Sequence, residues 1–372
     1  MKGSDRSGLV LLDKKPGLTS FQALNQVKKA FSTPKVGHTG TLDKFASGLL
    51  LVLVGRAVKL APWFNGCDKR YEGTIRFGAE TDTLDPEGAV IAEEAPPGRE
   101  ALEAVLEQFR GDILQAPPAY SAVHIDGARA HELARSGVDV EMKKRPVSVY
   151  ALELVSYQPP EAQIRVHCSK GTYIRSLARD IALAAGSRAH LTALKRTQIA
   201  GFHLADAVDL AAANGNGGAT GAVAGNVDGA IAGSAAGNTN TGSGDEEIND
   251  IPTADTNGAN GAAASPCVLK PITAAVFHAL NIACMEADAE TAVKLIQGKP
   301  IEPLIAGGRL PFFSPENASL NDGALADVST AVFDKNGGFI AVLEKKGGRW
   351  GYGYVYACVS GTSPSGRTDD HR

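Results

Sequence analysis

Residues 37–60 read GHTGTLDKFASGLLLVLVGRAVKL, and the rest of the chain is arranged around them. Gly37 and Gly40 bracket His38 and Thr39 with turn chemistry, because glycine reaches backbone angles closed to other residues. Asp43 follows, the one carboxylate between Asp13 and Asp68. Leu49 to Val54 then form an unbroken apolar run between Gly48 and Gly55, the mark of a strand buried on both faces. A lone carboxylate on a glycine-punctuated loop beside a buried strand is a way to fix a catalytic group on a rigid support. The plainer reading is a turn or cap aspartate, since short acidic residues favour turns.

Working outward, Gly8–Asp13 reads as a strand and Lys14-Lys15-Pro16-Gly17 as a turn. Thr19 or Ser20 caps a helix whose apolar residues Phe21, Leu24, Val27 and Phe31 share one face. Strand character returns at Thr74–Phe77. Between them and the next helix lies an acid-rich turn, Thr81-Asp82-Thr83-Leu84-Asp85-Pro86-Glu87-Gly88. Leu102, Val105, Leu106 and Phe109 share a helical face within 96–110. Residues 130–136 are helical and precede the basic trio Lys143, Lys144 and Arg145. Ile164–Cys168 alternates as a strand and runs into CSKGTYIRSLARD (168–180), where Ile174, Leu177, Ala178 and Ile181 recur at helical spacing. Tyr173 and Arg175 therefore fall at a strand-to-helix junction.

The first two hundred residues carry 27 Lys+Arg and 22 Asp+Glu, a net of +5, and the remainder 10 and 19, a net of -9. A mildly basic first part suits phosphates, while the acidic remainder argues against general polyanion stickiness. The five cysteines are scattered, with no CxxC pair and no Cys/His cluster at metal spacing. The odd cysteine count, the lack of a signal-like start and the lack of an apolar run of about 20 residues predict a cytoplasmic protein without a membrane anchor. Residues 211–265 hold 15 Ala, 12 Gly and 8 Asn but no Lys, Arg or aromatic residue. Such a composition cannot offset its chain entropy by burial and predicts a disordered insert. Residues 286–360 read as a small β domain, with a hairpin over 339–358 turning at Gly347-Gly348. Trp350, Tyr352, Tyr354 and Tyr356 alternate there, as core aromatics or, less commonly, a base-stacking face. Residues 361–372 are expected to be a disordered tail.

The stretch 37–60 resembles the signature GHxGTLDPxAtGxLxvxxGxaTK of the TruB family, the synthases that convert uridine-55 in the T loop of tRNA to pseudouridine. LDKKPGLTS (12–20), Tyr71 after a basic pair, the TDTxDxxG word at 81–88, CSKGTYIRSLARD and HLTALKRTQI (190–199) resemble the family's other words. Lys44, Phe45 and Ser47 depart from it, standing where the family usually has proline, leucine and threonine.

The resemblance implies an α+β pseudouridine synthase fold, a mixed and largely antiparallel sheet with flanking helices. It implies a catalytic domain over 1–285 with a thumb-like RNA-gripping insertion at about 112–146, in which His131 replaces a common tyrosine, and a PUA-like β domain over 286–360. It makes Asp43 the nucleophile, Arg175 its ionic partner and Tyr71 the ring against the target base. His38, Tyr71, Tyr173 and Leu194 are the expected substrate-binding residues, and Lys15 a candidate support for the site. No cofactor and no metal are expected, the partner is the T-arm stem-loop of tRNA, and a monomer is expected. Two readings of other classes stand beside it. One is a non-catalytic tRNA-binding chaperone of the same fold, and the other a metal-dependent phosphoesterase built on His38, Asp43, Asp82 and Asp85.

Overall fold

A computed structural model describes residues 6–125, 128–136, 142–210, 268–301, 303–304, 328–346 and 349–356. The composition-biased segment 211–265, the tail 361–372 and the Gly347-Gly348 turn lie outside the described residues.

In chain order the elements are β1 (Gly8–Lys14), α1 (Ser20–Phe31), β2 (Val36–His38), β3 (Ser47–Val54), a 3-10 turn (Gly55–Leu60) and α2 (Ala61–Asn65). Then come β4 (Lys69–Phe77), β5 (Ala79–Thr81), β6 (Val90–Glu93), α3 (Arg99–Leu106) and β7 (Gly111–Gln115). The 112–146 region adds β8 (His124–Ile125), β9 (Ala128–Arg129) and α4 (Ala130–Arg135). After it run β10 (Arg145–Gln158), β11 (Glu161–Cys168), α5 (Ile174–Ala184), β12 (Ala189–Ile199) and β13 (Phe202–His203). The last part holds α6 (Ala274–Ala279), β14 (Ala283–Ala287), α7 (Ala289–Ile296), β15 (Val328–Asp334), β16 (Phe339–Lys346) and β17 (Arg349–Val355).

The large sheet has the order β1-β3-β12-β4-β11-β10-β7, with β2 on β3 and β13 on β12. Its neighbours are antiparallel except β3 and β12, which run parallel and meet at Lys195↔Ser47 and Arg196↔Gly48. The expected mixed, largely antiparallel α+β fold is what the chain adopts.

The apolar run 49–54 is buried on both faces, as its unbroken pattern requires. Leu49, Leu51 and Leu53 face a core shared with Phe64, Phe277 and Phe339. Leu50, Val52 and Val54 face Ala23, Leu24, Val27 and Phe31 of α1. Helix α1 begins in a capping box, Thr19 with Gln22, which satisfies two backbone donors otherwise left without a partner. Phe21 departs from the sequence expectation. It is 64% exposed, and Ala23 takes the inward position instead. A third core joins β4, β10, β11 and β12 to α3 and α5.

The C-terminal strands form a separate sheet in the order β14-β15-β16-β17. Lys346 pairs with Arg349, so the expected hairpin is present. Its four aromatics do not share one face. Trp350 and Tyr352 pack on the sheet's own core. Tyr354 and Tyr356 pack on the core shared with β3, beyond a register shift between Val342 and Leu343. Trp63 donates to Ser329 Oγ at 3.2 Å, and Tyr354 donates to the Arg56 carbonyl at 3.2 Å. Together these contacts join the two sheets.

Candidate active site

Asp43 sits on the loop between β2 and β3, at the mouth of a cleft of about 800 Å³. Arg175, in the first turn of α5, meets it with both edges of a fork. Its Nε donates to Oδ2 at 2.9 Å and its Nη2 to Oδ1 at 3.0 Å. This two-point geometry is the strong form of an ion pair. Arg175 is 5% exposed and Asp43 33%, so the carboxylate faces the cleft while the guanidinium backs it. Arg175 is held in turn by the carbonyls of Thr83 (2.7 Å) and Tyr120 (3.1 Å). Asp85 Oδ2 lies 3.5 Å from its Nη1.

The loop carrying Asp43 is fixed through its backbone. Ser20 Oγ, in the first turn of α1, accepts from Leu42 N at 2.9 Å and donates to Leu42 O at 3.0 Å. Lys14, at the end of β1 and 1% exposed, donates to the carbonyls of Leu18 (2.7 Å), Ala46 (2.5 Å), Lys15 (3.0 Å) and Lys44 (3.4 Å). Burial pulls its ammonium down to about 8, against the pull of the nearby Asp43 charge. Arg196, also 1% exposed, donates from β12 to the carbonyls of Leu49 (2.8 Å), Thr41 (3.3 Å) and Gly40 (3.2 Å). Gly48 makes this approach possible. At φ +105° its Cα faces the Arg196 backbone, and a Cβ there would lie 2.3 Å from the Arg196 carbonyl oxygen.

The other expected residues line the same cleft: His38, Tyr71, Tyr173 and Leu194. Tyr71, on β4, is 8% exposed and packs in the core with Leu194, so it is both a core residue and part of the cleft wall. Burial pushes its hydroxyl above the usual tyrosine range. Burial and the Arg196 charge hold the His38 imidazole below its usual value, and its Nδ1 accepts from Gly40 N at 3.4 Å. Tyr173 caps α5, and Gln115 clamps its backbone, accepting from its N at 2.8 Å and donating to its O at 3.1 Å.

Two expectations shift. Lys15 does not back the site. It pairs with Asp13 at 2.7 Å and Asp209 at 3.1 Å, and Lys14 takes the supporting role. The acids of 81–88 already have protein partners: Asp85 in its own turn and beside Arg175, Asp82 at Ala89 and Tyr120, and Glu87 at Lys44. Asp82 accepts from Ala89 N (3.0 Å) and Tyr120 OH (3.3 Å), and Asp85 from Thr83 Oγ1 (2.6 Å) and Glu87 N (3.0 Å). Among the described residues no three His, Cys, Asp or Glu side chains gather into a group that could hold a metal ion. Nor is any helix among them long and apolar enough to cross a membrane. Asp85, Lys14, Gln115, Ser20 and Arg196 are site residues to which sequence reading gave no such role. All but Gln115 had a signal, a place in one of the words shared with the family. The His131 side chain lies outside the described residues.

The sheet and the cleft define the class: this is the pseudouridine synthase fold. It matches a chain in the crystal structure of a Cbf5–Nop10–Gar1 complex with a TM-score of 0.57, at 19% identity, over 91% of this chain and 78% of that one. A structure of an H/ACA RNP bound to a substrate RNA containing 2'-deoxyuridine matches at 0.56 and 18%, over 91% and 78%. Residues 28–174 match the model of the TruB family pseudouridylate synthase N-terminal domain. A tRNA pseudouridine synthase B from Borreliella burgdorferi (strain ZS7) is 47% identical over 203 residues, 54% of this chain and 72% of that protein. One from Bordetella avium (strain 197N) is 47% identical over 213 residues, 56% of this chain and 87% of that protein. The chain belongs to the TruB family of pseudouridylate synthases.

Proposed function

We propose that this chain isomerises uridine-55 in the T loop of tRNA to pseudouridine, with Asp43 as nucleophile. The forked Arg175–Asp43 pair facing an open cleft carries the reading. The reaction breaks the N1–C1′ bond, forms a C5–C1′ bond and moves the C5 proton to nitrogen. Atoms and electrons balance without an added reactant. What the step needs is an anionic oxygen held beside the nucleotide, and the two-point fork of Arg175 aims the Asp43 carboxylate.

A uridine in a folded loop must first leave its stack, which costs a few kcal/mol. Stacking on Tyr71 returns about 1–3 kcal/mol. His38, Tyr173 and Leu194 complete the wall of the base site, and His38, held neutral by burial, is suited to fill the space the base leaves in the RNA. The T-arm stem-loop is the proposed partner, gripped by the 112–146 region. The chain is proposed to act as a monomer. The proposed division is a catalytic domain over 1–285 and a PUA-like domain over 286–360.

The test is Asp43→Asn. The amide keeps the shape but removes the charge and the nucleophile, so tRNA binding should stay near normal while pseudouridine formation falls to background. Turnover surviving in that variant would refute the assignment.

A further inference from the structure

Lys44 follows Asp43 directly and departs from the family signature, in which proline is usual. Its backbone is anchored, its carbonyl accepting from Gly17 N at 2.8 Å and from Lys14 Nζ at 3.4 Å. Its side chain is half exposed and reaches across the rim of the cleft, where Nζ donates to Glu87 Oε1 at 2.6 Å. Glu87 is likewise half exposed, and its own backbone N donates to Asp85 Oδ1, on the carboxylate that faces Arg175. Both residues line the cleft, as do Arg135 and Lys170.

An ion pair this exposed adds only about 0–1 kcal/mol to stability. It is weak as a strut and easily exchanged. A cation on a fixed backbone one residue from the proposed nucleophile lies where an RNA strand must bring its phosphates to deliver a flipped nucleotide. An RNA phosphate is a better partner for the ammonium than Glu87, because it also releases the counterions condensed on the RNA.

We propose that Lys44 exchanges Glu87 for a backbone phosphate of the RNA as the target nucleotide enters, with Glu87 holding the lysine side chain in place until then. This rests on the reading of RNA as substrate. It makes Lys44 a substrate-binding residue and Glu87 an internal competitor for the same charge.

The two partners of a simple strut would respond alike to removal, whereas those of an exchange respond oppositely. The experiment measures Kd for a tRNA transcript by filter binding between about 50 and 200 mM salt, with pseudouridine formation followed in parallel. Lys44→Gln should weaken binding about 3–10-fold and reduce the salt slope by about one. Glu87→Gln should tighten it about 2–4-fold with the slope kept, the gain equal to the exposed pair it releases. In the Lys44→Gln background Glu87→Gln should have no effect. Weakening by both single variants, or no change in either, overturns the exchange. Tightening by Glu87→Gln without Lys44 also overturns it, since that gain is general repulsion from the RNA. A wild-type chain that binds tRNA but forms no pseudouridine overturns the proposed reaction, and the same Kd values still decide the exchange.

Discussion

Lys14 is a buried cation whose hydrogen-bond partners are main-chain oxygens, and its charge is what grips the Asp43 loop. Since burial brings its ammonium to about 8, the lysine loses its proton as pH rises through that value and the grip slackens. Activity should fall above about pH 8, and a rate–pH profile of Lys14→Met should be lower throughout and lack that limb. The stability effect has the opposite sign. The unfolded lysine keeps its proton to about 10.5, so from about 8 upward the unfolded chain binds more protons and this group favours folding increasingly with pH. Urea midpoints across pH 7–10, compared with those of Lys14→Met, would expose the difference. Sequence alone could not choose Lys14 over Lys15. The two are neighbours, and strand alternation turns one inward and the other outward only once the pairing of Lys14 with Gly48 is known.

At the scale of elements, what was legible in the sequence was what is encoded locally. The double-faced burial of β3, the capped start of α1 and the strand-to-helix junction at Tyr173 all follow from runs of adjacent residues. The residues that brace the site around Asp43 and Arg175 did not, because Asp85, Ser20, Gln115 and Arg196 come from four other segments and meet only in three dimensions. The parallel pairing of β3 with β12 is such a meeting, and Gly48 is its hinge point. Gly48→Ala would place a methyl group against the Arg196 backbone at a positive φ. The cost should be roughly 2–4 kcal/mol, seen as a lowered urea midpoint with activity lost alongside. Thr19→Ala removes only a helix cap and should cost about 1 kcal/mol.

At the scale of the whole molecule, the two ends of the composition-biased segment return to one strand. Asp13 N donates to Val208 O at 3.0 Å and Val208 N to Leu11 O at 2.8 Å, while Leu9 and Lys270 exchange backbone bonds at 2.9 and 2.8 Å. The attachment points Leu9 and Leu12 lie three residues apart on β1, about 10 Å along a strand. A short connector can span that gap, so deleting 211–265 should leave pseudouridine formation within a few-fold of wild type, checked on the purified deletion protein. The cations that clasp the Asp43 loop, Lys14 and Arg196, hold it through peptide oxygens: those of Lys44 and Ala46 for the one, and of Gly40, Thr41 and Leu49 for the other. Every amino acid carries that oxygen, so the clasp is blind to spelling. The side chains at 44, 45 and 47 take no part in the clasp, which is how lysine, phenylalanine and serine can stand there while the carboxylate keeps its aim.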